Sequence, residues 1–160
     1  MLTRELWFPT PIWYGEIDVT GLEKLCKKYS GVKADNQDNG YSEMVNGKKG
    51  YKRVEADVLK QAQFVFEDLY SERKGGYDMV NMWVNNNSKG DYHKLHVHPD
   101  CDLSGCFYVN TPVKSGNIRF EDPNYLLKMN QETLNKHVMT FVTRVTVDYV
   151  PTVGKLLFFP

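Results

Sequence analysis

The sequence predicts a single mixed domain, mainly β with flanking helices (α+β), built on a double-stranded β-helix (jelly roll) core. Three observations predict it. The first half holds one strong helical period, Val54, Val58, Ala62, Val65 and Leu69, spaced by three and four residues. From Tyr77 onward the texture changes to short alternating or β-branched runs separated by turn residues. A length of 160 residues with 41% hydrophobic content suits one domain with a real core. Many short strands after a helical start fit a jelly roll with helices packed outside. The expected division is a helical part over residues 1–76, with a long loop over 31–50, and jelly-roll strands over 77–160.

Leu6 to Ile17 carries two prolines among aromatics, which suits an edge strand or an extended entry segment. Thr20 is placed to cap a helix through about Tyr29, with Glu23 completing a capping box. Leu22, Leu25, Cys26 and Tyr29 form its apolar stripe. Gly31 to Gly50 is polar and rich in Asn, Asp, Gly and Lys, a loop that serves either as a lid or as a solvated connection. Arg53 to Arg73 is the clearest helix, stopped at Gly75-Gly76. Alternation over Asp78 to Asn87 predicts a strand, followed by strands over Leu103 to Asn110 and Gly116 to Glu121. Pro123 to Lys136 reads as irregular or partly helical, Val138 to Val150 as a long β-branched run, and Val153 to Pro160 as the closing strand.

Lysine plus arginine equal aspartate plus glutamate at 20 each, so no strongly basic nucleic-acid surface is expected. Three cysteines, Cys26, Cys101 and Cys106, make an odd count without framework spacing and read as reduced cytoplasmic thiols. There is no signal-peptide pattern and no apolar stretch of membrane-spanning length. A homodimer is left open.

The chemistry concentrates in Leu95-His96-Val97-His98-Pro99-Asp100. In an extended segment, side chains two apart point to one face, so both imidazoles can converge on one point. Asp100 and Asp102 follow as oxygen donors. Imidazole plus carboxylate with open positions is the ligand set of non-haem Fe(II) oxygenases. A surface pair with no ligand explains the same spacing. Cys101 and Cys106 near the histidines fit no usual structural zinc spacing. His93 and His137 are single histidines without such support.

Several ordered motifs surround the pair: Trp83-Val84-Asn85, Gly90, His96-Val97-His98-Pro99, Ser104-Gly105-Cys106-Phe107-Tyr108-Val109, Phe120-Glu121-Asp122-Pro123 and Gly154-Lys155-Leu156-Leu157-Phe158-Phe159-Pro160. Together with Leu6-Trp7-Phe8-Pro9 they resemble the 2-oxoglutarate/Fe(II)-dependent oxygenase family of bacteria and marine phages, which is prolyl-hydroxylase-like. The resemblance implies a 2-oxoglutarate-dependent dioxygenase, a hydroxylase of unknown substrate, with Fe(II) and 2-oxoglutarate as cofactors. It would work in the cytoplasm, the host's if the chain is phage-encoded.

By motif, His96 takes the first-histidine position and His98 the place where most relatives carry aspartate. A rival register makes His98-Pro99-Asp100 the H-x-D run, with His98 and Asp100 as ligands. Tyr108 matches the tyrosine whose hydroxyl reaches a carboxylate of 2-oxoglutarate, and otherwise is a core tyrosine. Asn85 and Trp83, on the strand before the loop, are placed to line the cosubstrate pocket. The family's distal histidine and its cosubstrate arginine match no position up to Pro160, so the chain is expected to lack a C-terminal segment of its parent. Two other functions stay open: a jelly-roll binding or structural module without turnover, and a cupin-type three-histidine dioxygenase.

Overall fold

The computed structural model describes residues 3, 9–29, 41–70, 76–124 and 144–160. His137, the residues 4–8 of the opening motif, the loop residues 31–40 and the irregular stretch 125–136 lie outside them. The chain forms two compact units, one of residues 11–110 with 153–160, the other including 111–152. The described part is mixed, with few helices and small antiparallel sheets. No described helix is long and apolar enough to cross a membrane.

The first unit is built on a three-stranded sheet in which β7 (Lys155–Phe159) runs between β1 (Trp13–Glu16) and β4 (Ser104–Phe107), antiparallel to both. Its three central residues, Leu156, Leu157 and Phe158, are all buried, as expected of a continuous apolar run in a central strand. The register sorts the side chains into two faces. Trp13, Phe107, Leu156 and Phe158 share the face that packs into the core. Ser104 stands opposite Phe159 and Cys106 opposite Leu157, so these four share the other face.

Helix α2 (Lys52–Leu69) belongs to the same core. Val54, Ala62, Val65 and Phe66 are buried and Val58 and Leu69 pack beside them, the stripe that the three-and-four spacing predicts. Polar bonds fix its approach: the Trp13 indole donates to Asp68 at 2.9 Å, and the Gln61 amide donates to the Glu16 carbonyl at 2.9 Å. The Arg53 guanidinium holds the Asp18 carboxylate at 2.6 Å and the Thr20 carbonyl at 2.9 Å. The helix stops at Tyr70, which turns extended, earlier than the sequence pattern predicts.

Two local expectations differ. Helix α1 is short, Leu22–Cys26, followed by a 3-10 turn at Lys27–Tyr29, and Gly21 caps it in the left-handed conformation with no side-chain bond. The Thr20 backbone amide and hydroxyl instead turn to Asp18, and Glu23 pairs with Lys27 at 2.7 Å. Asp18 wins because its carboxylate sits two residues before Thr20, a closed local turn that draws Thr20 out of the capping geometry. The second difference is a strand inside the expected 31–50 loop, β2 (Tyr41–Met44). It pairs antiparallel with β3 (Trp83–Asn86) in register Met44↔Trp83 and Ser42↔Asn85. Backbone hydrogen bonds to a strand some forty residues away make it a strand, which local composition does not show.

In the second unit, β5 (Ile118–Glu121) and β6 (Thr146–Tyr149) form an antiparallel pair. Arg119 stands directly opposite Asp148 and holds it bidentately at 2.7 and 2.9 Å, which lowers the Asp148 pKa.

At Gly105, β4 has no room for a side chain against β7. A Cβ there would stand 2.8 Å from the Leu157 carbonyl oxygen and 2.9 Å from the Phe158 ring. Gly105→Ala is expected to cost about 1–3 kcal/mol. Urea unfolding should show a lower midpoint with an unchanged slope.

Candidate metal centre

The segment between β3 and β4 is irregular rather than a strand, yet it holds the two imidazoles together. His96 Nε2 and His98 Nε2 are 3.0 Å apart, with ring centroids at 5.0 Å. Each ring is anchored by its other nitrogen. His96 Nδ1 lies 2.7 Å from the Lys94 carbonyl, and His98 Nδ1 lies 2.8 Å from the Ser104 hydroxyl. Ser104 is buried and belongs to β4, so the sheet itself sets the angle of His98. The His98 ring also lies 6.0 Å from the Phe159 ring, and the Trp83 ring approaches it edge-on at 6.1 Å.

The two imidazoles are donors of the kind that divalent transition ions take. Two imidazole nitrogens about 2.1 Å from one ion stand about 3.0 Å apart at right angles and about 3.4 Å apart at the tetrahedral angle. The observed 3.0 Å is a hydrogen-bond distance between the rings and also equals the spacing of adjacent positions in a six-coordinate site. A carbonyl or hydroxyl behind each ring is the outer partner that metal-binding histidines commonly use. Burial, with the His96 charge second, lowers the His98 pKa, so its neutral form is favoured at physiological pH. His93, with its ring 6.4 Å from that of His96, is lowered in the same way.

The other sequence candidates fall around this pair. Asp100 is exposed in a turn at φ 62°. Among the described residues no third histidine, cysteine, aspartate or glutamate joins the pair to make a ligand group. Asn85 is exposed on β3, two residues from Trp83 and therefore on its face. Tyr108 is half-buried just after β4, its N–H bonded to the Lys155 carbonyl and its own carbonyl to Gly154 N–H. Its hydroxyl accepts from the Cys106 thiol at 3.9 Å. Burial, then the neighbouring Cys106, pushes the Tyr108 phenol well above its ordinary pKa. The sequence reading gives Ser104 only as the head of the Ser104 to Val109 motif and Cys101 only as a cysteine that fits no zinc spacing, with no role for either at the pair. The strand alternation Ser104, Cys106, Tyr108 could have signalled the serine, since it shares a face with the matched tyrosine.

A family model described as "Putative 2OG-Fe(II) oxygenase" matches residues 81–160. The chain belongs to that family, whose name implies dependence on Fe(II) and 2-oxoglutarate. No curated protein matches the chain.

The raised Tyr108 pKa has a consequence at high pH. Above about pH 10 an unfolded tyrosine loses its proton while folded Tyr108 keeps it, so the unfolded state binds fewer protons and stability falls as pH rises. Tyr108→Phe should flatten that alkaline loss. Urea midpoints of both proteins from pH 8 to 11 check it, and parallel curves would contradict it.

Proposed function

We propose that this chain is an Fe(II)- and 2-oxoglutarate-dependent hydroxylase, with His96 and His98 as two protein ligands of the iron. The observation that carries the reading is the 3.0 Å Nε2 pair, with both Nδ1 atoms committed to protein partners, inside the family match. The jelly-roll core that the family implies would bring the strands of the first unit around this pair. When bound, iron and 2-oxoglutarate supply the oxidising chemistry for placing an oxygen atom on a carbon of the substrate. The chain's own residues bind and orient. Lys94 and Ser104 hold the two rings so that both Nε2 atoms face the same point. Tyr108, kept neutral by burial, is a hydroxyl donor for a cosubstrate carboxylate. Trp83 and Asn85 line the β3 side of the same pocket, with Trp83 against the His98 ring.

Anaerobic Fe(II) titration of the wild type, His96→Ala and His98→Ala tests the ligand assignment. Both variants should lose most of the affinity. Loss in His98→Ala and Asp100→Ala but not in His96→Ala would favour the other register. Succinate formation with iron and ascorbate tests turnover, and tight metal binding without succinate would make the chain a non-catalytic module.

Hydrogen bonds to a charged group contribute about 1.5–3 kcal/mol, so Tyr108→Phe should weaken 2-oxoglutarate binding roughly ten-fold or more. The measurement is cosubstrate affinity in the metal-loaded protein. Equal affinities would return Tyr108 to a packing role.

A further inference from the structure

Behind the imidazole pair lies a closed ring of contacts that ligation alone does not explain. His98 Nδ1 is 2.8 Å from Ser104 Oγ, Ser104 Oγ is 3.2 Å from Cys101 Sγ, and Cys101 Sγ is 3.5 Å from the His98 carbonyl oxygen. Ser104 is only 7% exposed, which limits exchange of its partners for bulk water.

Proton bookkeeping gives this ring a direction. The Lys94 carbonyl can only accept, so His96 Nδ1 carries a proton and a neutral His96 presents a bare Nε2. His98 Nε2 faces that nitrogen at 3.0 Å. Two bare nitrogens at that distance repel. With both rings neutral, the metal-free arrangement is therefore His98 Nε2–H donating to His96 Nε2, and His98 Nδ1 is then an acceptor. Ser104 must donate to it, and the Cys101 thiol donates to Ser104.

Ligation through both Nε2 atoms demands the reverse. His98 must carry its proton on Nδ1 and donate to Ser104 Oγ. The Ser104 hydroxyl then turns to Cys101 Sγ, and the thiol hydrogen turns to the His98 carbonyl. Three protons serve His98, Ser104 and Cys101 in either arrangement, and the charge of His98 does not change. A hydroxyl and a thiol both donate and accept, so they satisfy both arrangements. A carbonyl or carboxylate in place of Ser104 would hold His98 in one tautomer.

We propose that Ser104 and Cys101 are positioning residues forming a reversible hydrogen-bond relay, which satisfies His98 in one tautomer when the pair is empty and in the other when it holds a metal. The metal-free half stands on the contacts alone, and the reversal rests on the ligand assignment proposed above. The relay makes the site tolerant of both states. A buried polar group left unpaired is costly, and here neither state leaves one on His98 or Ser104.

Ring-nitrogen NMR of 15N-histidine-labelled protein tests this, metal-free and with Zn(II) as a diamagnetic probe. The expected spectra show His98 protonated on Nε2 without zinc and on Nδ1 with it, while His96 stays protonated on Nδ1. Ser104→Ala should blur the metal-free preference and weaken zinc binding about 10–100-fold. Ser104→Thr, which keeps the hydroxyl, should retain both signatures and guards against a folding defect in Ser104→Ala. Cys101→Ala should weaken zinc binding by a smaller factor, and Cys101→Ser should restore it. If zinc binds both imidazoles while His98 carries its proton on Nδ1 in both states, the relay falls and the ligand assignment survives. If zinc leaves the His98 ring unchanged, the ligand assignment falls and takes the reversal with it.

Discussion

The structure of the first unit depends on one strand having two different sides. β7 lies in the middle of its sheet, and its side chains alternate between the helix-packed core and the site. Leu156 and Phe158 join the hydrophobic cluster with α2. Phe159, on the other side, approaches the His98 ring. The strand that the apolar burial holds in place therefore also brings Phe159 to the His98 ring. Gly105 allows this by letting the Phe158 ring and the Leu157 carbonyl come against β4, where no side chain would fit without movement.

That arrangement explains how an irregular segment can carry an ordered pair. The loop between β3 and β4 has no strand ladder to hold its histidines. Order reaches them through side chains instead: a buried hydroxyl from β4, a tryptophan from β3 and a phenylalanine from β7 all meet His98. His96 is set locally by the Lys94 carbonyl, two residues before it. One imidazole is thus fixed by the fold and the other by its own turn, and their nitrogens meet at 3.0 Å.

The candidate site lies within the stretch that the family match covers. The family match spans 81–160, which includes β3, the histidine loop, β4 and β7. The long helix and β1 precede it, and their part is to fill the core behind that sheet. The described strands form a three-stranded and a two-stranded sheet in the first unit and a two-stranded sheet in the second.

Sequence alone determined what depends on near neighbours and on pattern. The α2 stripe was legible because a helix repeats its buried face every three to four residues, whatever it packs on. The apolar run at Leu156 to Phe159 was legible as a strand for a similar local reason, whereas the two imidazoles meet in an irregular segment and not through the strand alternation that the sequence suggested. Tertiary structure decided the rest. β2 is a strand because β3 pairs with it, Thr20 leaves its helix because Asp18 holds it, and Ser104 matters because the β4–β7 register buries it beside His98. Each of these turns on a hydrogen bond whose partner is chosen by geometry rather than by residue type. A sequence pattern reports which groups can donate or accept, and only the fold decides which of them meet.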